Sequence, residues 1–149
     1  MDTGSRQGHR NDPAVVRRLL EHRGRWAVVG LSSNPARVAY RIASYLQNLG
    51  MEIVPVHPRA DTVHGAVGYR TLAEVAAAID EPIDVVDVFV RSELAGDVVD
   101  QAIAIGAKAV WLQLGVIDEA AAARAAAAGL DVVMDTCPAI EAPRLGLEA

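Results

Sequence analysis

Arg37, Arg59 and Arg91 each stand shortly after a short apolar run, in a stretch of chain that is otherwise acidic. A guanidinium keeps its charge at every working pH and presents a planar fork of donors that matches phosphate oxygens, so arginines gathered at one place point to a phosphate-bearing ligand. Ser32 and Ser33 add hydroxyls within Gly30-Leu31-Ser32-Ser33-Asn34-Pro35-Ala36-Arg37, and His57 precedes Arg59 by two positions. No paired carboxylate or serine at an interpretable position completes a catalytic set around His57, which therefore reads as a ribose or phosphate contact and not as a general base. Cys137 is the single cysteine. It cannot form an internal disulfide, and without a cluster of histidines it anchors no metal site.

The charge distribution gives those arginines their weight. The 149 residues carry a net charge of −5, with 52% hydrophobic and 22% charged residues. Residues 1–25 hold six arginines against three acids, whereas residues 26–149 hold eight cations against sixteen acids. Such a body is not built for non-specific attraction to nucleic acid or to an anionic membrane surface. No stretch approaches the roughly 18 apolar residues of a membrane span, and the polar start has no apolar signal core, so a cytoplasmic protein is expected.

The elements that must position these residues follow from hydrophobic periodicity. Residues 1–12 have none and read as a flexible leader, which leaves 13–149 as one domain. Asp12-Pro13 opens a short helix carrying Val15, Val16, Leu19 and Leu20 up to Gly24. Trp26–Val29 is a buried strand, and Ser33 or Asn34 caps a helix with Val38, Ile42, Leu46 and Leu49 inward. The alternation continues with strand Ile53–Val56, helix Thr71–Ile79, strand Val85–Val90, a helix from Ser92 or Glu93 to Gly106, and strand Ala109–Leu112. Asp118 caps an alanine-rich helix to Gly129, and strand Leu130–Met134 precedes a Cys137-Pro138 turn and a short tail. Pro55 argues that its strand lies near an edge or a bulge, and the segment between Val56 and Thr71 leaves room for one more short edge strand around Gly68-Tyr69. This pattern is that of an α/β protein with a Rossmann-like, doubly wound, mostly parallel sheet of five or six strands.

In such a sheet ligands bind beyond the carboxyl ends of the strands, near the switch in strand order. Those ends lead into Gly30 to Arg37, His57-Pro58-Arg59, Arg91-Ser92-Glu93 and Gln113-Leu114-Gly115. The first loop departs from the dinucleotide fingerprint, with Ser32 where a second glycine would stand. NAD-binding folds place an acid after the second strand, and here His57 and Arg59 replace it. Basic groups there suit a ligand with an additional phosphate on its adenosine ribose, which leaves NADP and coenzyme A.

Five ordered blocks carry a resemblance: Gly30-Leu31-Ser32 through Arg37, Val54 to Arg59, Val88 to Glu93, Ala107 to Gly115, and Val133 to Glu141. Together they resemble the small single-domain CoA-binding proteins, which are similar to the CoA-binding domain of the succinyl-CoA synthetase α subunit. The resemblance spans roughly residues 12–145. It implies that the 3′-phospho-ADP portion of CoA lies across the first two strand ends and that the pantetheine arm runs toward the later loops. The cofactor is then coenzyme A or an acyl-CoA, with Gly30, Ser32, Ser33, Arg37, His57, Arg59, Arg91, Ser92, Gln113, Gly115 and Cys137 as its binding residues. The blocks depart from the family pattern at His57, where asparagine is commoner, and at Thr136, where a basic residue is. One covalent chemistry is left open, a mixed disulfide between Cys137 and the CoA thiol. The expected role is non-catalytic binding, sensing or delivery, alone, as a homo-oligomer or beside a ligase partner subunit. The alternatives are an NADP-binding reductase component and a subunit of a larger acyl-CoA ligase. A module that has lost its ligand would show its arginines tied up in salt bridges and its pocket filled.

Overall fold

The computed structural model describes residues 8–148. Helices and strands alternate as α1 (Pro13–Glu21), β1 (Arg25–Val29), α2 (Val38–Asn48), β2 (Glu52–Val56), α3 (Leu72–Ala78) and β3 (Val85–Val88). They continue as α4 (Ser92–Ala104), β4 (Ala109–Leu112), α5 (Glu119–Ala127), β5 (Asp131–Met134) and α6 (Pro138–Arg144). The strands form one parallel sheet in the order β2-β1-β3-β4-β5, the Rossmann-like arrangement expected.

Burial on both faces explains why the strands read as continuous apolar runs. Ala27, Val54, Val86, Val110 and Val132 face α3, α4 and α5, while Trp26, Ile53, Val85, Trp111 and Val133 face α1, α2 and α6. The low relief of α5 is used inside the chain, where Ala121, Ala122 and Ala125 are buried against the first of these faces. On the second face the rings of Trp26 and Trp111 lie 5.5 Å apart at 46°. Trp111 Nε1 donates to the Thr136 carbonyl at 3.0 Å, whereas Trp26 Nε1 is buried without a partner among the described residues.

The sixth strand reduces to a single bridge. Tyr69 pairs with Val56 in parallel sense, its N–H donating to the Pro55 carbonyl and its carbonyl accepting from His57 N–H, each at 2.9 Å. Gly68 permits this approach, since a Cβ there would lie 2.1 Å from the Asp61 carbonyl oxygen. Because the N–H and C=O of one strand residue point the same way, the missing N–H of Pro55 faces this outer edge and costs no bond to β1.

The expected caps hold at Asp12 and Asp118, whose side chains accept from Ala14 and Ala121 N–H, and Thr71, expected as the first residue of its helix, caps α3 by accepting from Glu74 N–H. Three boundaries differ. Asn34 closes a separate turn by accepting from Ala36 N–H, so α2 starts at Val38. β3 ends at Val88, two residues early. The residues after Cys137, expected as a turn and tail, form α6 with Pro138 in its first turn.

Residues 1–7 of the expected flexible leader lie outside the described residues. Asn11, also within it, is held in place: its amide donates to the Met134 carbonyl and accepts from Met134 N–H, both at 2.9 Å, at the outer edge of β5.

Candidate functional site

The strand order reverses at β1, which pairs with β2 on one side and β3 on the other. Helices diverge there and leave a crevice beyond the carboxyl ends of the strands. A cleft of about 770 Å³ occupies this place, and Gly30, Arg37, His57, Arg70 and Arg91 line it together with an apolar wall that includes Val38, Phe89 and Leu94. Gly30 is required at its floor: φ is +101°, and a Cβ would stand 2.6 Å from the Phe89 carbonyl oxygen.

Electrostatically the cleft is the inverse of the chain that surrounds it. Among the described residues that line it there are three arginines and no carboxylate. The Arg37 and Arg70 side chains have no acid partner among the described residues, and Arg91 approaches Glu93 only at 4.0 Å with both side chains about three-quarters exposed. Arg37 and Arg91 are also the N-cap residues of α2 and α4, and neither makes a side-chain cap bond. An arginine carries donors only and cannot accept from a helix N–H, so two helices of 11 and 13 residues begin at the cleft without the acceptor that α1, α3 and α5 possess. Free N–H groups and the helix dipole at such starts favour an anion.

His57 sits at the end of β2, and its Nδ1 accepts from Arg59 N–H at 3.2 Å. This two-residue turn is of the kind that an asparagine side chain forms. Accepting at Nδ1 places the neutral ring's proton on Nε2, which is left as a donor for a ligand.

The remaining expected contacts are turned to other uses. Arg59 reaches Asp61 at 3.5 Å and does not line the cleft. The Asp61 Oδ2 also accepts from Ser33 N–H at 3.1 Å and from the Ser33 hydroxyl at 2.9 Å, and these bonds, with a smaller contribution from Arg59, hold its carboxyl below the usual range. Ser32 is buried and its hydroxyl accepts from Asn34 N–H at 3.3 Å. The Ser92 hydroxyl braces the β4–α5 loop by donating to the Gly115 carbonyl and accepting from Ile117 N–H. Gly115 N–H itself donates to Asp135 Oδ1 at 2.8 Å.

Gln113 turns inward, where its amide donates to Asp87 Oδ1. Burial pushes the Asp87 carboxyl up to about 8 against the opposing effect of that bond, and its Oδ2 has no hydrogen-bond partner among the described residues. Cys137 is buried in the core on the α1, α2 and α6 side of the sheet, and burial likewise raises its thiol, offset in part by the Ala139 N–H. Ser32, Ser33, Arg59, Ser92, Gln113, Gly115 and Cys137 are thus not brought into the cleft, whereas Gly30, Arg37, His57 and Arg91 are.

Arg70, Thr71 and Gln101 line the cleft without having been singled out from the sequence. The signal for Arg70 was the possible edge strand at Gly68-Tyr69: a segment paired in parallel with the end of β2 delivers its next residue to the same edge as His57.

The family model described as a CoA binding domain matches residues 24–143, from β1 into α6. The chain belongs to the CoA-binding domain family. The Bacillus subtilis (strain 168) uncharacterized protein YneT is 36% identical over 124 residues, which cover 83% of this chain and 89% of the relative. A hypothetical protein from Pyrococcus horikoshii OT3 superposes with a TM-score of 0.81 at 32% identity, covering 97% of this chain and 99% of that one. The dinucleotide-forming acetyl-coenzyme A synthetase 1 of Candidatus Korarchaeum cryptofilum, in its apo form, shares the fold, with a TM-score of 0.66 and 22% identity over 80% of this chain and 28% of its own. In this CoA-binding domain the cleft suits the group for which the family is described. The guanidiniums of Arg37 and Arg70, without an acid partner among the described residues, and two open helix starts have the chemistry that phosphates call for, and Val38, Phe89 and Leu94 offer an apolar wall.

Proposed function

We propose that this protein binds coenzyme A or an acyl-CoA in the cleft at the β1/β3 switch and serves as a non-catalytic binding, sensing or carrier protein. One observation carries the reading: the cleft of a net-negative chain is lined by Arg37, Arg70 and Arg91 without a carboxylate among its described lining, and two of those arginines replace the caps of α2 and α4. Open helix starts favour the diphosphate, and charge-assisted bonds from the guanidiniums add affinity and orientation. The module without a ligand fits these features poorly, since Arg37 and Arg70 have no acid partner among the described residues and the cleft is open.

Calorimetric titration with CoA, acetyl-CoA, NADP and NAD tests the reading, preceded by native mass spectrometry for ligand carried through purification. Selective binding of CoA or acetyl-CoA is the expected result. Binding of NADP alone would replace this reading by the reductase component, and binding of none of the four would end it.

A further inference from the structure

We infer that Arg70 and His57 together read the phosphate on the adenosine ribose, so that the cleft selects CoA over dephospho-CoA. The inference rests on the CoA reading and deepens it. In Rossmann-like sheets the diphosphate lies at the helix that follows the first strand, and the adenosine ribose lies at the end of the second. Arg37 stands at the first of these places as the N-cap of α2, and His57 follows β2 at the second.

Two basic residues follow β2 within three positions, but only His57 faces the cleft, because Arg59 is turned to Asp61. The charge missing there is restored by Arg70, from fourteen residues after Val56. Tyr69 is fastened to the end of β2 by two backbone bonds, one of them from His57 N–H, so that Arg70 emerges beside His57 at the cleft. Glu74, the nearest acid along the chain, spends its Oε1 on the Arg70 backbone N–H at 3.0 Å, and the Arg70 guanidinium has no acid partner among the described residues. His57 supplies a neutral donor at Nε2 because the Arg59 N–H holds its Nδ1. A permanently charged fork and an imidazole donor at one edge of the same cleft are suited to a dianionic monoester.

The test compares CoA and dephospho-CoA by calorimetry on the full chain, for the native protein and for Arg70→Gln, Arg70→Lys and His57→Asn. Asparagine keeps the acceptor of the two-residue turn and removes the second donor, and thermal melting verifies that each variant is folded. Arg70→Gln is expected to weaken CoA about tenfold or more while leaving dephospho-CoA unchanged, with partial recovery in Arg70→Lys and a smaller loss of the same kind in His57→Asn. Equal losses for both ligands, or no loss for either, would overturn the assignment while CoA binding itself stands. If the native protein binds neither, the CoA reading has failed and this inference falls with it.

Discussion

The carboxylate of Asp61 receives the backbone N–H and the hydroxyl of Ser33 on one oxygen, at 3.1 and 2.9 Å, and so joins the β2–α3 loop to the β1–α2 loop. Such bonds are stronger to the ionised acid than to the protonated one. With its folded pKa held low by those donors, Asp61 contributes stability that is present above the ordinary carboxylate range and is lost as pH falls through the lowered value. Asp61→Asn is expected to melt below the native protein at neutral pH and to converge with it in acid. Thermal melting across this range checks the prediction, and a gap that does not change with pH would contradict it.

Asp87 has the opposite sign. Its pKa is pushed up to about 8 by burial, so between the unfolded value near 4 and about 8 the folded state holds a proton that the unfolded state has released. Stability from this group therefore falls as pH rises, at up to about 1.4 kcal/mol per pH unit in mid-window. Asparagine copies the protonated acid, so Asp87→Asn is expected to match the native protein near the acid end and exceed it increasingly toward pH 8. Urea unfolding at several pH values reads the difference. Parallel curves would show that Asp87 is ionised in the fold.

Ligand affinity separates the arginines. Arg37→Ala and Arg91→Ala remove cleft charges and are each expected to weaken CoA by about 1.5–3 kcal/mol if both make charge-assisted bonds to phosphate. Arg59→Ala, whose guanidinium serves Asp61, is expected to leave affinity nearly unchanged. Calorimetry on the three variants decides, and an Arg59 effect as large as that of Arg37 would move the phosphate site to the Asp61 loop.

The two tryptophans differ in cost despite their shared burial. Trp111→Phe removes a bond and leaves the Thr136 carbonyl unpaired, whereas Trp26→Phe removes a donor that has no partner. Trp111→Phe is expected to be the more destabilising by about 1–2 kcal/mol in denaturant unfolding. The reverse order would mean that Trp26 Nε1 finds a partner in solution.

Cys137 is expected to resist thiol reagents in the folded protein and to react fully in denaturant, because burial both hides the sulfur and raises its pKa. Rapid labelling of the native chain would contradict this, and a reductant-sensitive adduct after incubation with oxidised CoA would support the mixed disulfide between Cys137 and CoA.

Apolar periodicity was enough to read the order of the strands and the helices between them, since Val85–Val88 is a short valine-rich run soon after Pro82 and Ala109–Leu112 is a short apolar one between Gly106 and Gly115. It failed where a local bond competes with an element. Asn34 satisfies Ala36 N–H in a turn and delays α2, and Cys137-Pro138 begins a helix because proline suits a first turn as well as a bend. The site was legible to the extent that strand ends fix backbone position, which places Arg37, His57 and Arg91. Side-chain direction was not. Arg70 lines the cleft and Arg59 does not, because Asp61 engages Arg59 and the Tyr69 bridge brings Arg70 to the edge, and both contacts join residues whose pairing no periodicity records. Gln113 likewise turns inward to a buried acid, which strand position alone does not disclose.

The outermost strands each have a peptide group already engaged from outside: β2 by Tyr69 at Pro55, and β5 by the amide of Asn11 at Met134. A single side-chain amide at Met134 offers the same donor and acceptor that an incoming chain would offer. The sheet is thereby blocked at those points against growth by another molecule's strand, the first step toward fibres when parallel sheets are crowded. Clipping the chain just after Asn11 would remove that block on the β5 side.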